Sequence, residues 1–267
     1  YVKREEIPAA RNLLGIAYKV QGKFDEALAS YTEFLAQHPT HPAWAQVQQE
    51  IIQVEYLKAK AAFDAKKYDQ ARELWSQYLT KSPLDRRAPA ILFLFGEMQF
   101  REEKWDDAIT AWKQLVTKYP GTSAASQAQF RIATTLEEKQ GNFEEALVEY
   151  RKLNWGKFVA AARDRMNRLT QNAMTIATER VFRSDEVPTI KLTSRNIETL
   201  TVRVYRVDLE TYFRKMHLAT GLEQLDISLI DPDQTFEFKV PDFQKFQQIE
   251  SQIPLSPWQD GNEKKTS

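Results

Sequence analysis

A four-residue pattern recurs through the first half of the chain and limits its fold more than any other feature. Phe24-Asp25-Glu26-Ala27 returns as Tyr68-Asp69-Gln70-Ala71, Trp105-Asp106-Asp107-Ala108 and Phe143-Glu144-Glu145-Ala146. Each copy is an aromatic, an acid, a polar residue and an alanine. The alanines are separated by 44, 37 and 38 residues. Self-similarity at such a period marks stacked two-helix units, each of which needs its neighbours to bury its apolar face.

The first copy shows how one unit is built. Leu14, Gly15 and Tyr18 share one helical stripe. Gly22 ends that helix, because glycine enters the left-handed region at little cost. Phe24 fills the space between two helices. Asp25 and Glu26 open the second helix, where carboxylates suit the free N–H groups and the dipole. Ala27, Tyr31 and Phe34 form its apolar stripe, and His38-Pro39 closes it. Gly15 and Ala27 are small so that the two helix backbones can approach closely. These residues, with Pro39, resemble the signature of the tetratricopeptide repeat. The second copy supplies Ala59, Tyr68, Ala71, Trp75, Tyr78 and Pro83, and the third Gly96, Trp105, Ala108, Trp112, Leu115 and Pro120. The fourth supplies Gly141, Phe143, Ala146, Tyr150 and Leu153 without a closing proline. All four lack the family's first-helix tryptophan, and their periods exceed its usual ~34 residues. The elongated repeats resemble those of bacterial envelope-assembly proteins, which implies a periplasmic or secreted location, with the cytoplasm as the alternative.

The expected helices are 8–21, 25–37, 43–65, 69–81, 88–103, 106–118, 123–140 and 144–153, within a solenoid domain of residues 1–156. An amphipathic run over 157–179 follows, with Phe158, Ala161, Ala162, Met166, Leu169, Ala173, Met174 and Ile176 on one side and Arg163, Asp164, Arg165, Asn167 and Arg168 on the other. It reads as the helix that covers the last apolar face of a solenoid. Beyond it the texture turns to alternation. Strands are expected over 187–192, 199–207, 226–230, 235–240 and 248–255, with a helix over 208–217 and a turn at Asp231-Pro232-Asp233. This gives a partial antiparallel β-sandwich over 180–258 and a mobile tail over 259–267. A full immunoglobulin-like sandwich needs about seven strands, so the β-part is expected to continue beyond Ser267. The start at Tyr1 likewise reads as part of a longer polypeptide.

Arg195-Asn196, Thr201 to Glu210, Tyr212 to Lys215, Ile230-Asp231-Pro232-Asp233 and Ile253-Pro254-Leu255 resemble the first macroglobulin domain of bacterial α2-macroglobulin-like proteins over residues 154–255. The resemblance implies a scaffold fragment of a protease-trapping envelope protein, with further macroglobulin domains downstream. The family's thioester needs a cysteine, and this chain of 267 residues has none. A free-standing tetratricopeptide adaptor in envelope assembly or secretion is the alternative.

Function follows from surfaces rather than from chemistry. The 37 basic and 37 acidic residues cancel without a basic block, which argues against nucleic acid. No run of 18 apolar residues spans a membrane. Without cysteine there is no disulfide, zinc thiolate or thiol nucleophile. No nucleophile, metal or phosphate-loop constellation marks an enzyme, and no cofactor or metal is expected. His38, His41 and His217 lack a zinc spacing, and Asp231 and Asp233 supply too few oxygens for calcium. Asp25, Asp69, Asp106 and Glu144 are helix-start acids rather than acid–base pairs. Arg86-Arg87 is too short for an anion patch, and Trp44, Trp75 and Trp112 read as core.

The first helix of each pair lines the groove of a tetratricopeptide solenoid. That register assigns Asn12, Lys19, Tyr56, Lys60, Phe63, Phe93, Glu97, Phe100, Arg101, Arg131, Thr135 and Glu138 to a groove for an extended or helical peptide. The rival reading for Phe63, Phe93 and Phe100 is packing between repeats. Asn12 fits one slot of a carboxylate clamp, but no other residue lines up with it, so capture of a C-terminal carboxylate is rejected.

Overall fold

The structure, a computed structural model, describes residues 7–178, 180–183, 186–206, 210, 214 and 230–255. It divides into two compact units, residues 1–163 and 164–267.

Four helix pairs make the first unit: α1 (Ile7–Val20) with α2 (Phe24–Gln37), α3 (Trp44–Asp64) with α4 (Tyr68–Lys81), α5 (Ala88–Arg101) with α6 (Trp105–Lys118), and α7 (Ser123–Glu138) with α8 (Phe143–Lys152). Each second helix begins at the aromatic of the repeated pattern, with its acid in the first turn. Gly22 and Gly141 sit at φ 74° and 64°, where a side chain would be strained. The pattern alanines Ala27, Ala71, Ala108 and Ala146 are all fully buried. The aromatics four residues on, Tyr31, Trp75, Trp112 and Tyr150, are fully buried as well. Gly15 and Gly96 make room for two of those rings: a Cβ on Gly15 would lie 2.4 Å from Tyr31, and one on Gly96 would lie 2.2 Å from Trp112. Close backbone approach therefore means, physically, space for an aromatic ring from the partner helix.

The last pair is covered by its own chain. Phe158 stacks on Phe130 with ring centroids 5.1 Å apart. Ser126 Oγ donates to the Trp155 carbonyl at 3.0 Å, Gly156 lies directly on Ser126, and Ala162 is fully buried. The covering helix α9 (Val159–Thr170) is shorter than the 157–179 run expected of it. Ala173, Met174 and Ile176 are not on its apolar side but in strand β1 (Ala173–Ala177). Gln171-Asn172 breaks the helix, and the β-branched Thr175 and Ile176 suit an extended backbone whose partner strand is available. Two further expectations need correction. Trp44, at the first position of α3, is half-buried rather than core, and Leu14 is 47 % exposed despite its place on the signature stripe.

In the second unit β1 pairs antiparallel with β2 (Thr189–Arg195), and β2 with β5 (Gln248–Pro254). A separate antiparallel ladder joins β3 (Thr199–Val204) to β4 (Gln234–Lys239). Leu192, Val240 and Ile253 form a buried core with Ile190, Leu200, Val202, Phe236, Phe238, Ile249 and Leu255 packed around it. The alternation read from the sequence thus places one face of each ladder in a common core. Asn196 ties this unit together from a left-handed backbone (φ 57°). Its Nδ2 donates to the Leu169 and Gln171 carbonyls at 2.7 and 3.1 Å, and its Oδ1 accepts from Phe246 N–H at 2.7 Å. The expected strand over 226–229 and the tail from 259 lie outside the described residues, as does the helix over 208–217 apart from Glu210 and Arg214.

Candidate functional site

The twelve residues assigned to the groove separate into core and surface. Phe63 is 6 % exposed and packs on Tyr68 and Trp75 with centroids 5.8 and 5.7 Å apart. Phe93 is 9 % exposed, stacks on Trp112 at 6.1 Å, and its carbonyl accepts from Trp112 Nε1. Both rings are therefore packing between helices, not groove lining, because the partner helix presents a tryptophan at that level. Thr135 is buried too, its Oγ1 donating to the Arg131 carbonyl at 2.7 Å. Tyr56 is half-buried against Trp75 and Tyr78, beneath the Arg87 guanidinium at 5.1 Å.

The polar members are held in pairs that bridge successive repeats. Lys19 Nζ meets Glu50 Oε2 at 2.6 Å, joining α1 to α3. Arg131 Nε meets Glu97 Oε1 at 2.7 Å, joining α7 to α5. The same guanidinium lies 4.1 Å from the centre of the Phe100 ring. Arg101 sits 5.0 Å over Phe63 and reaches the Tyr68 hydroxyl at 3.5 Å. Lys60 pairs within its helix with Asp64 at 2.6 Å. Asn12 is half-buried at the α1 end, and Glu138 is exposed at the end of α7.

The structure thus draws Glu97, Phe100 and Arg131 into one cluster across the third and fourth pairs. It draws Phe63 and Arg101 together across the second and third. It does not join Asn12, Lys60 or Glu138 to either cluster. Each cluster places a guanidinium on an aromatic face, a contact that gains about 0.5–2 kcal/mol depending on desolvation. Such a surface is charged outside and aromatic beneath. A peptide carboxylate can compete for the arginine while an apolar side chain takes its place on the ring.

Several members of this network were not singled out from the sequence: Glu50, Gln53, Asp64, Tyr68, Arg87 and Trp105. Gln53 accepts from Arg87, and Trp105 lies 4.8 Å from Phe100. The available signal was spacing. Lys19 and Glu50 are 31 residues apart, and Glu97 and Arg131 are 34 apart, about one repeat. Acid–base complementarity at that separation marks side chains that meet between stacked units. His38 and His41 pack edge-on against Phe34 at 5.5 and 5.2 Å. Among the described residues no group of three His, Asp or Glu side chains is placed to hold a metal. No described helix is long and apolar enough to cross a membrane.

Comparison with known proteins bears on the repeats. A search of curated proteins finds no match. Among solved structures, the chain is similar to MamA of AMB-1 (24 % identity, 54 % of this chain and 69 % of that one, TM-score 0.35). It is also similar to MamA from Desulfovibrio magneticus RS-1 (17 %, 55 % and 73 %, TM-score 0.34). A third similarity is to the P58(IPK) TPR domain (22 %, 62 % and 48 %, TM-score 0.34). The family model described as tetratricopeptide repeat matches residues 2–45, 56–121 and 93–153. The matched residues end at 153, so the macroglobulin-like resemblance rests on its sequence motifs alone. With more than half of its length matched and four helix pairs closed by the same alanine and aromatic positions, the chain belongs to the tetratricopeptide repeat family.

Proposed function

We propose that the chain is a protein–protein interaction scaffold whose binding surface is the Glu97–Phe100–Arg131 cluster with Arg101 beside it. The observation that carries this reading is the pair of guanidiniums seated on Phe63 and Phe100. They lie on successive first helices, the face that tetratricopeptide solenoids turn toward a groove. An extended or helical peptide with both acidic and apolar side chains fits that surface. Because Phe63 is core, replacing it would test folding rather than binding, and the arginines are the better probes. Peptides selected on the intact chain from a displayed library should lose at least about tenfold in affinity with Arg101→Glu combined with Arg131→Gln, the loss expected at a binding hot spot. Circular dichroism should show the helices retained, since both side chains are partly exposed. Unchanged affinity would place the surface elsewhere.

A bacterial envelope location is part of the proposal, supported by the elongated repeats. The second reading makes the chain a segment of an α2-macroglobulin-like protein. Its support is that the resembling segments supply β2, β3 and their neighbours in the second unit. Mass mapping of the native polypeptide in fractionated source cells separates the readings. A far longer chain in the envelope or secreted fraction supports the macroglobulin-like protein. A cytosolic polypeptide of this length removes that reading and leaves the adaptor.

A further inference from the structure

The two ends of the solenoid are finished differently. At the far end, residues 155–162 lie on the last pair. At the near end, α1 exposes an apolar stripe of Ala10, Leu13, Leu14, Ala17 and Val20, with Leu13 65 % and Val20 79 % exposed. The repeat register says what kind of face this is. Gly15 receives Tyr31 as Gly96 receives Trp112, so positions in α1 and α5 correspond at a separation of 81 residues. The counterparts of Ala10, Leu13, Leu14 and Ala17 are Ile91, Leu94, Phe95 and Met98. Those four pack into the core of the preceding pair, with Ala59, Phe63, Trp75 and Tyr78. The counterpart of Val20 is Arg101, which covers Phe63. The stripe on α1 is therefore the inter-repeat interface of this fold, continued onto a helix with nothing stacked on it among the described residues.

We infer that this stripe docks on the same stripe of a second copy, as a two-fold antiparallel contact between α1 helices. Stacking the far end of a second copy onto α1 is blocked, because Phe158 and its neighbours already occupy that end. The stripe is also complementary to itself. With the two-fold axis level with Gly15, Leu13 faces Ala17 of the second copy and Ala10 faces its Val20. A large side chain meets a small one at each of the four crossings, as an isologous contact requires. Each pair is also symmetric about the same line along the helix, given about 100° per residue. The charges nearest the stripe are already neutralised within the chain, Arg11 by Glu33 at 2.6 Å and Lys19 by Glu50 at 2.6 Å. Two three-turn helices bury less than the ~1,200 Å² of a standard interface, so the dimer is weak and concentration-dependent.

The inference is independent of the groove and fails separately from it. Sedimentation velocity on the intact chain, across concentrations from about 1 to several hundred µM, should show the mass rising toward twice that of the chain, as a small interface predicts. Leu13→Asp with Val20→Asp should hold it at the monomer mass with an unchanged melting temperature, because both residues are exposed. The chain has no cysteine of its own, so Leu13→Cys with Ala17→Cys in one chain tests the register directly. Air oxidation should yield a disulfide-linked dimer. A single monomer mass at every concentration overturns the inference. So does a dimer that survives the aspartates, or a cysteine variant that stays unlinked while the wild type dimerises; these would assign the face to a different partner.

Discussion

Arginine at position 108 should destabilise the solenoid by at least about 4 kcal/mol, the range reached when a charge is buried without a partner. Ala108 has no exposed surface and lies in the second turn of α6, the helix that packs most extensively on α5. An arginine there must either displace α5 or lose its water. Because each repeat is stabilised by its neighbours, failure of the third pair removes support from the second and fourth. Urea melts followed by circular dichroism should show an earlier and broader transition. Thr110→Arg, two residues on and exposed, should stay within about 0.5 kcal/mol of wild type. Equal stability of the Ala108 variant and wild type would mean that the pattern alanines do not mark the helix contact.

Trp112→Ala should cost about 3–5 kcal/mol, the usual range for deleting a buried tryptophan. The ring is fully buried and donates from Nε1 to the Phe93 carbonyl at 3.1 Å. It lies against Phe93 and Phe100, with Arg131 5.3 Å from its centre. Gly96 is glycine because of this ring. Gly96→Ala alone should destabilise by about 1–3 kcal/mol through overpacking, although alanine is the better helix former by about 1 kcal/mol. In the Trp112→Ala background the same change should be neutral or stabilising, since the obstacle is gone. A double-mutant cycle measures this coupling, expected at about 1–3 kcal/mol for residues in contact. Additive effects would show that the ring does not fill the space left by Gly96. The substitution should also loosen Arg131 and Phe100, which connects the core to the proposed binding surface.

The helix pairs were legible because their signals are local. Gly22 and Gly141 stop helices by their own backbone freedom. Asp25, Asp69, Asp106 and Glu144 mark starts through the nearest turn. Alternation exposed β3 and β4 for the same reason, since a period of two is read within six residues. The groove was legible only in part. Phe63, Phe93 and Phe100 occupy similar positions in the pattern, yet Phe63 and Phe93 are core and Phe100 carries Arg131. Leu14 sits on the signature stripe and is half exposed, because that stripe needs a neighbouring helix to bury it.

The sequence by itself determined four helix pairs, their boundaries to within about two residues, the small residues at their contacts and the change to strands, all of which follow from chemistry within one or two turns. Only the tertiary structure decided which aromatics became core, and which acid each arginine or lysine took. Those choices depend on side chains about one repeat away, 31 residues from Lys19 to Glu50 and 34 from Glu97 to Arg131. It also decided that residues 173–177 leave the helix. Their apolar spacing suits either state, and the backbone hydrogen bonds that settle it come from strand β2.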